Sequence, residues 1–102
     1  MTTRRIVTGH NAADKSVFVS DSAATRTTAF QHVRGFVTSL LWETLPGAQV
    51  PAQAGDPAVA ATSWVPAPGG SNLMFITFPP DSVMGSPDFD PAAAGGEYMA
   101  VL

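Results

Sequence analysis

Cysteine is absent from this 102-residue chain, so neither a disulfide framework nor a thiolate metal site can form. Charge is scarce: 13% of residues carry one, against a usual ~25%, and a surface so poor in charge is normally covered in part by something else. No apolar run approaches the ~18 residues needed to cross a bilayer. The start, Met-Thr-Thr-Arg-Arg5, leads into a strand-like segment rather than the apolar core of a signal peptide. These absences predict a soluble, cytoplasmic protein in a reducing compartment, with no membrane partner.

Bases are missing from the whole second part of the chain. Arg4, Arg5, Lys15, Arg26 and Arg34 lie in the first 34 residues with only Asp14 and Asp21 against them, a local charge of +3. From Gly35 onward there are six acids and no base, a local charge of −6 that brings the total to −3. The two parts are electrostatically complementary, within one chain or between copies, although chance in so small a sample gives the same split. Five scattered bases make neither a stripe nor a funnel, which argues against nucleic acid as a partner.

What is present is β-rich and heavily punctuated. Nine glycines and nine prolines exceed background without reaching the level of a disordered chain. At this length a single domain is expected, burying somewhat over ~60% of its unfolded surface. Arg4–Thr8 and Ser16–Ser20 read as an N-terminal hairpin over residues 4–20, with turn chemistry from Gly9 to Lys15. Asp21–Thr28 is small and polar, and Ala29–Val33 reads as a short extended piece. Phe36–Glu43 is apolar toward its end on both faces, as in a strand covered on both sides. Leu45–Ala58 is broken by Pro46, Gly47, Pro51, Gly55 and Pro57 and reads as a loop. Val59–Val65 and Leu73–Phe78 flank Pro66-Ala-Pro-Gly-Gly-Ser71, which predicts a second hairpin. Residues 79–102 lack periodicity; Ala92–Gly96 is too glycine-rich to sustain a helix, and only Glu97–Leu102 could begin another element. The expectation is an all-β domain over residues 1–102, a β-sandwich or partial barrel of about five strands with long loops.

Three segments, RRIVTGHNAADKSVFVSD, FVTSLLWET and ATSWVPAPGGSNLMFITFPPDSVMGSPDFDP, resemble the N-terminal portion of small bacterial cupin-domain proteins. The family's defining motifs, a glycine before a histidine pair and glutamate, and a later glycine, proline and histidine, do not occur. The resemblance implies a partial jelly roll whose barrel holds a divalent metal or a small-molecule ligand, often in a homodimer that shares N-terminal strands. It also implies a longer parent chain whose ligand-bearing strands follow Glu97.

The residues themselves offer little chemistry. A cupin-type metal site needs several converging histidines or glutamates, whereas His10 and His32 are the only histidines; they read as a turn residue and a half-buried strand residue. Metal and cofactor are therefore unassigned. Ser82 and Ser86 lie in no nucleophile-elbow pattern. Asp88 and Asp90 could face a hard cation from one loop, but aspartate beside proline more often shapes a turn, and Gly69-Gly70 is a turn rather than a phosphate cradle. No catalytic residue is assigned. Trp42, Trp64, Phe75 and Phe78 are candidates to line an apolar barrel pocket, the alternative being a packed core or a dimer interface. Two functional expectations follow. One is a cupin-like small-molecule-binding or enzymatic barrel whose motifs lie elsewhere; the other is a non-enzymatic β-protein acting through homodimerisation or partner binding.

Overall fold

The computed structural model describes residues 3–49 and 56–102. Strands β1 (Arg4–His10) and β2 (Ser16–Ala23) form one antiparallel hairpin; β3 (Arg26–Ala29), β4 (Val37–Thr44) and β5 (Ser71–Thr77) form a second antiparallel sheet in the order β3-β4-β5. Two helices, α1 (Pro57–Ala60) and α2 (Pro91–Val101), complete the described elements. The protein is thus mostly β, with two small open sheets and no closed barrel among the described residues.

Local chemistry accounts for the hairpin turn. The Asn11 carboxamide oxygen accepts from the backbone N–H of Ala13 and Lys15 at 2.9 and 3.1 Å, and Asp14 takes the left-handed conformation at φ 58°. Bridged this way, the strands extend beyond the predicted segments, and a bulge between Val7 and Thr8 increases their twist.

β4 is the centre of the molecule. Its residues Thr38, Ser39, Leu40 and Leu41 are all buried, which accounts for the lack of alternation in this segment. Leu40, at 1% exposure, packs with Ala58 of α1, Ala61 and Met74 of β5. The core is thin: Ala24, Ala58, Ala61 and Ala94 supply four of its eight buried apolar residues. A bulge at Leu41 leaves that residue out of register with β5, and its carbonyl accepts instead from Arg5 Nη1 at 3.0 Å. Arg5 thereby ties the N-terminal hairpin to the sheet.

Three expectations fail here. Val59–Val65 is not a strand: α1 ends at Ala60 and the chain continues without regular structure to Gly70. Asp56 caps α1, its Oδ1 accepting from the Ala58 N–H at 3.1 Å, and Pro57 takes the first helical position, so the helix start overrides the β propensity that follows. The strand at 73–78 therefore does not form a hairpin with 59–65; β5 pairs with β4, Met74 facing Leu40 and Leu73 facing Trp42. Of the expected extended piece at Ala29–Val33 only Ala29 lies in a strand, as the last residue of β3, and residues 31–33 form a bend. Within the predicted loop Leu45–Ala58, the last two residues belong to α1, and residues 50–55 lie outside the described residues.

The third failure is α2, which spans eleven residues despite Gly95 and Gly96. Asp90 caps it, Oδ1 accepting from the Ala93 N–H at 3.1 Å, and Pro91 again begins the helix. Tertiary contacts supply what propensity lacks. Glu97 accepts from the backbone N–H of Gln31 and His32, and the Leu102 carbonyl accepts from the Trp64 N–H at 3.2 Å and the Ser63 hydroxyl at 2.7 Å.

The result is elongated, 59 × 28 × 17 Å, with a radius of gyration of 16.8 Å where a compact chain of this length has about 13 Å. Its accessible surface is 7292 Å², against about 5,500 Å² for a compact monomer of the same mass.

Candidate functional site: two polar clefts and an open apolar sheet

The four aromatic residues expected around one pocket do not converge on one cavity. Trp42 lies on β4 opposite Leu73, and Phe75 lies on β5 opposite Ser39, so Trp42, Leu73 and Phe75 occupy one face of the β3-β4-β5 sheet. Phe75 is 54% exposed there. Trp64 belongs elsewhere, in an aromatic cluster with Tyr98 at 5.5 Å and Phe30 at 6.2 Å, ring centre to ring centre. Phe78, 74% exposed, sits on Phe36 at 5.6 Å, and Phe36 contacts Phe30 edge-on at 4.8 Å. Through Tyr98, which touches Phe30 and Trp64, the aromatic chain Phe78-Phe36-Phe30-Trp64 joins α2 to the β3–β4 loop and to the segment after β5. Of the four candidates, Trp64 and Phe78 thus join this aromatic cluster, whereas Trp42 and Phe75 share an apolar sheet face that is partly open.

Apolar exposure is also concentrated on the N-terminal hairpin, where Phe18 is 79% exposed and Ile6, Val17 and Val19 are exposed as well. β5 carries no charge and no proline along Ser71–Thr77, so its outer edge lacks the usual protection against further strands.

Two clefts of about 320 Å³ each are polar. One is lined by four threonines, Arg26 and Trp64; there the Arg26 guanidinium donates to the Ala61 carbonyl, and Thr27 Oγ1 shares a 2.9 Å bond with Ser39 Oγ. The other lies between the β3–β4 loop, with Gln31, His32 and Arg34, and the turns before α2, with Ser82, Ser86, Asp88 and Asp90. His32 is exposed rather than half-buried, while its backbone N–H donates to Glu97 at 2.9 Å. These two backbone donors, Gln31 first and His32 next, hold the Glu97 carboxyl below its ordinary range. Asp90 is engaged as a helix cap, and Ser86 Oγ accepts from the Asp88 N–H at 3.2 Å. His10 ends β1, exposed and away from this cleft. Among the described residues no three histidine or carboxylate side chains gather to hold a metal, and no helix is long and apolar enough to cross a membrane.

Sequence reasoning singled out His32, Ser82, Ser86, Asp88 and Asp90 separately but not their meeting, and it passed over Arg34 and Gln31. The residues come from segments about fifty positions apart, with no local motif to announce them. No family model, curated protein or solved structure matches this chain.

Proposed function

We propose that this chain forms the wall of a cupin-like, small-molecule-binding β-barrel that works once further strands cover its open sheet. The observation that carries this reading is the uncharged β5 edge beside the Trp42–Leu73–Phe75 face, an apolar surface of the kind that lines small-molecule pockets. Covering it would enclose Trp42 and Phe75 together, while Trp64 and Phe78 would remain in the packing cluster. The test uses Trp64→Phe, which leaves Trp42 as the single tryptophan. Anilinonaphthalenesulfonate should take up energy from Trp42 saturably and with fixed stoichiometry, and Phe75→Asp should abolish the transfer. Transfer that never saturates, or that survives Phe75→Asp, would overturn the reading.

A second reading, action through homodimerisation, is favoured by the surface area. The chain exposes about 1,800 Å² more than a compact monomer of its mass, well above the ~800 Å² per partner of a standard interface. The exposed hairpin residues Phe18 and Val19 would lie within that interface. Sedimentation equilibrium should show a dimer that Phe18→Asp dissociates; a monomer throughout the micromolar range would remove this reading.

A further inference from the structure

We propose that the cleft between the β3–β4 loop and the turns before α2 binds a small zwitterion, a free α-amino acid, with Arg34 taking its carboxylate and Asp88 its ammonium group.

The proposal begins with charges left without partners. Arg34 makes no ion pair or hydrogen bond among the described residues, although Asp88 and Asp90 line the same cleft. The Asp88 carboxylate likewise has no partner among the described residues, only its backbone N–H being engaged, to Ser86. Arg34 lines the cleft on the β3–β4 loop side and the exposed Asp88 and Asp90 on the side of the turns before α2, with no ion pair between them. A concave site with Val83 and Phe89 in its lining focuses both potentials into the intervening space.

The chemistry of the occupant follows by exclusion. A simple anion would be drawn to Arg34 but repelled by two carboxylates. A metal cation would face Arg34, and no third ligand is present among the described residues. An apolar molecule would strip water from charged groups and give nothing in return. A molecule carrying one positive and one negative group satisfies both walls, with a bidentate guanidinium–carboxylate pair at one end and an ammonium–carboxylate pair at the other. A volume of about 320 Å³ lies at the small end of ligand pockets, which fits a free amino acid better than a peptide.

The wall that presents Arg34 is also fixed in place. Glu97 of α2 accepts from the backbone N–H of Gln31 and His32 at 2.7 and 2.9 Å, and the Phe36 N–H donates to the Val33 carbonyl at 3.0 Å, closing the turn around Arg34. A loop already ordered loses less entropy when a ligand arrives.

The test is an amide ¹H–¹⁵N titration of the 102-residue chain with glycine, L-alanine and L-serine, with acetate and methylammonium as single-charge controls. At least one amino acid should give saturable shifts confined to residues 31–34 and 82–90, and neither control should reproduce them. Arg34→Gln and Asp88→Asn should each weaken binding about tenfold or more, the effect of losing one charge-assisted pair, while amides outside the cleft keep their positions. The absence of saturable shifts, equal shifts with acetate, or unchanged affinity in either folded variant would overturn the assignment. The cleft is separate from the Trp42–Phe75 face, so this result and the barrel test fail independently.

Discussion

Replacing Asp56 with alanine should be among the most damaging single changes to this protein outside its apolar core. The Arg5 and Asp56 side chains are 10% and 24% exposed and form a two-pronged pair, one prong being Nη1 to Oδ1 at 2.9 Å. Arg5 Nη1 also donates to the Leu41 carbonyl, and its Nε is buried without a partner, so Arg5 depends on this carboxylate for most of its compensation. Removing one member of a buried pair costs about 3–5 kcal/mol because the remaining charge is left desolvated. Asp56 is a quarter exposed, which reduces that share to about 2–3 kcal/mol, and the lost α1 cap adds about 1 kcal/mol. A total of about 3–4 kcal/mol is a large part of the 5–15 kcal/mol that stabilises a typical domain. Arg5→Met should cost less, about 1–2 kcal/mol, because the more exposed Asp56 keeps its capping role. The double variant should then be more stable than Asp56→Ala alone. Urea unfolding followed by far-ultraviolet circular dichroism at neutral pH would measure all three. A cost below about 1 kcal/mol for Asp56→Ala, or a double variant as costly as the two singles summed, would refute the claim that desolvation of Arg5 governs this site.

Acid should loosen the same connections: hydrogen bonding to Arg5 holds the Asp56 carboxyl below its ordinary value, and the Gln31 and His32 amides do so for Glu97. Groups with depressed folded-state values contribute stability above their unfolded values near pH 4, and that stability is lost as pH falls through the folded values; a pH series of urea midpoints should therefore decline below about pH 4. Asp56→Asn and Glu97→Gln should each flatten that decline. Leu40→Ala should cost about 2–5 kcal/mol by leaving a cavity beside Ala58 and Ala61, where small neighbours cannot collapse to fill it; thermal unfolding would show it. At Gly70 a Cβ would stand 2.6 Å from the Thr44 carbonyl oxygen and 3.1 Å from that of Ala67. Both atoms are backbone, so Gly70→Ala should destabilise by about 1–3 kcal/mol and lower hydrogen-exchange protection where Thr44 and Ser71 pair.

Strands were legible where the signal is local. Residues 4–8, 16–20, 36–43 and 73–78 lie in or against strands because β-branched and aromatic side chains suit a pleated surface. Both-face burial of β4 was legible because its apolar run does not alternate. The helices were equally announced, by the same dipeptide: Asp56-Pro57 and Asp90-Pro91 each supply a cap and a first helical residue. The sequence reading passed over that signal, following the β propensity of VAATSWV in one case and Gly95-Gly96 in the other. The partner of β5 was not legible, because the nearest strand-like segment in sequence competed with β4, more than twenty-five residues away. The cleft was not legible for a related reason: Arg34 and Asp88 come to line one cleft only through tertiary packing, with Glu97 of α2 held to the β3–β4 loop, which no spacing rule encodes.

The charge split along the chain and the exposed apolar sheets suggest different forces for the proposed self-association, and salt separates them. Of the five bases in the first 34 residues, Arg4 already pairs with Asp21 and Arg5 with Asp56. That leaves Lys15, Arg26 and Arg34 to attract the acidic tail of another copy, three exposed or part-exposed charges that salt screens. The apolar surface, by contrast, is intact on Phe18 and Val19 of the hairpin and on Leu73, Phe75 and Ile76 of β5. Association driven by these faces should be no weaker, and should be somewhat tighter, when salt is raised, because excluded salts strengthen apolar burial. Association driven by the charge split should collapse as the screening length shrinks to about 3 Å at 1 M salt. Sedimentation in dilute buffer and in ~1 M sodium sulfate separates the two. A dimer that persists in sulfate and is dissociated by Phe18→Asp or Phe75→Asp supports the apolar interface, whereas one that dissociates in sulfate would return the assembly to the charges.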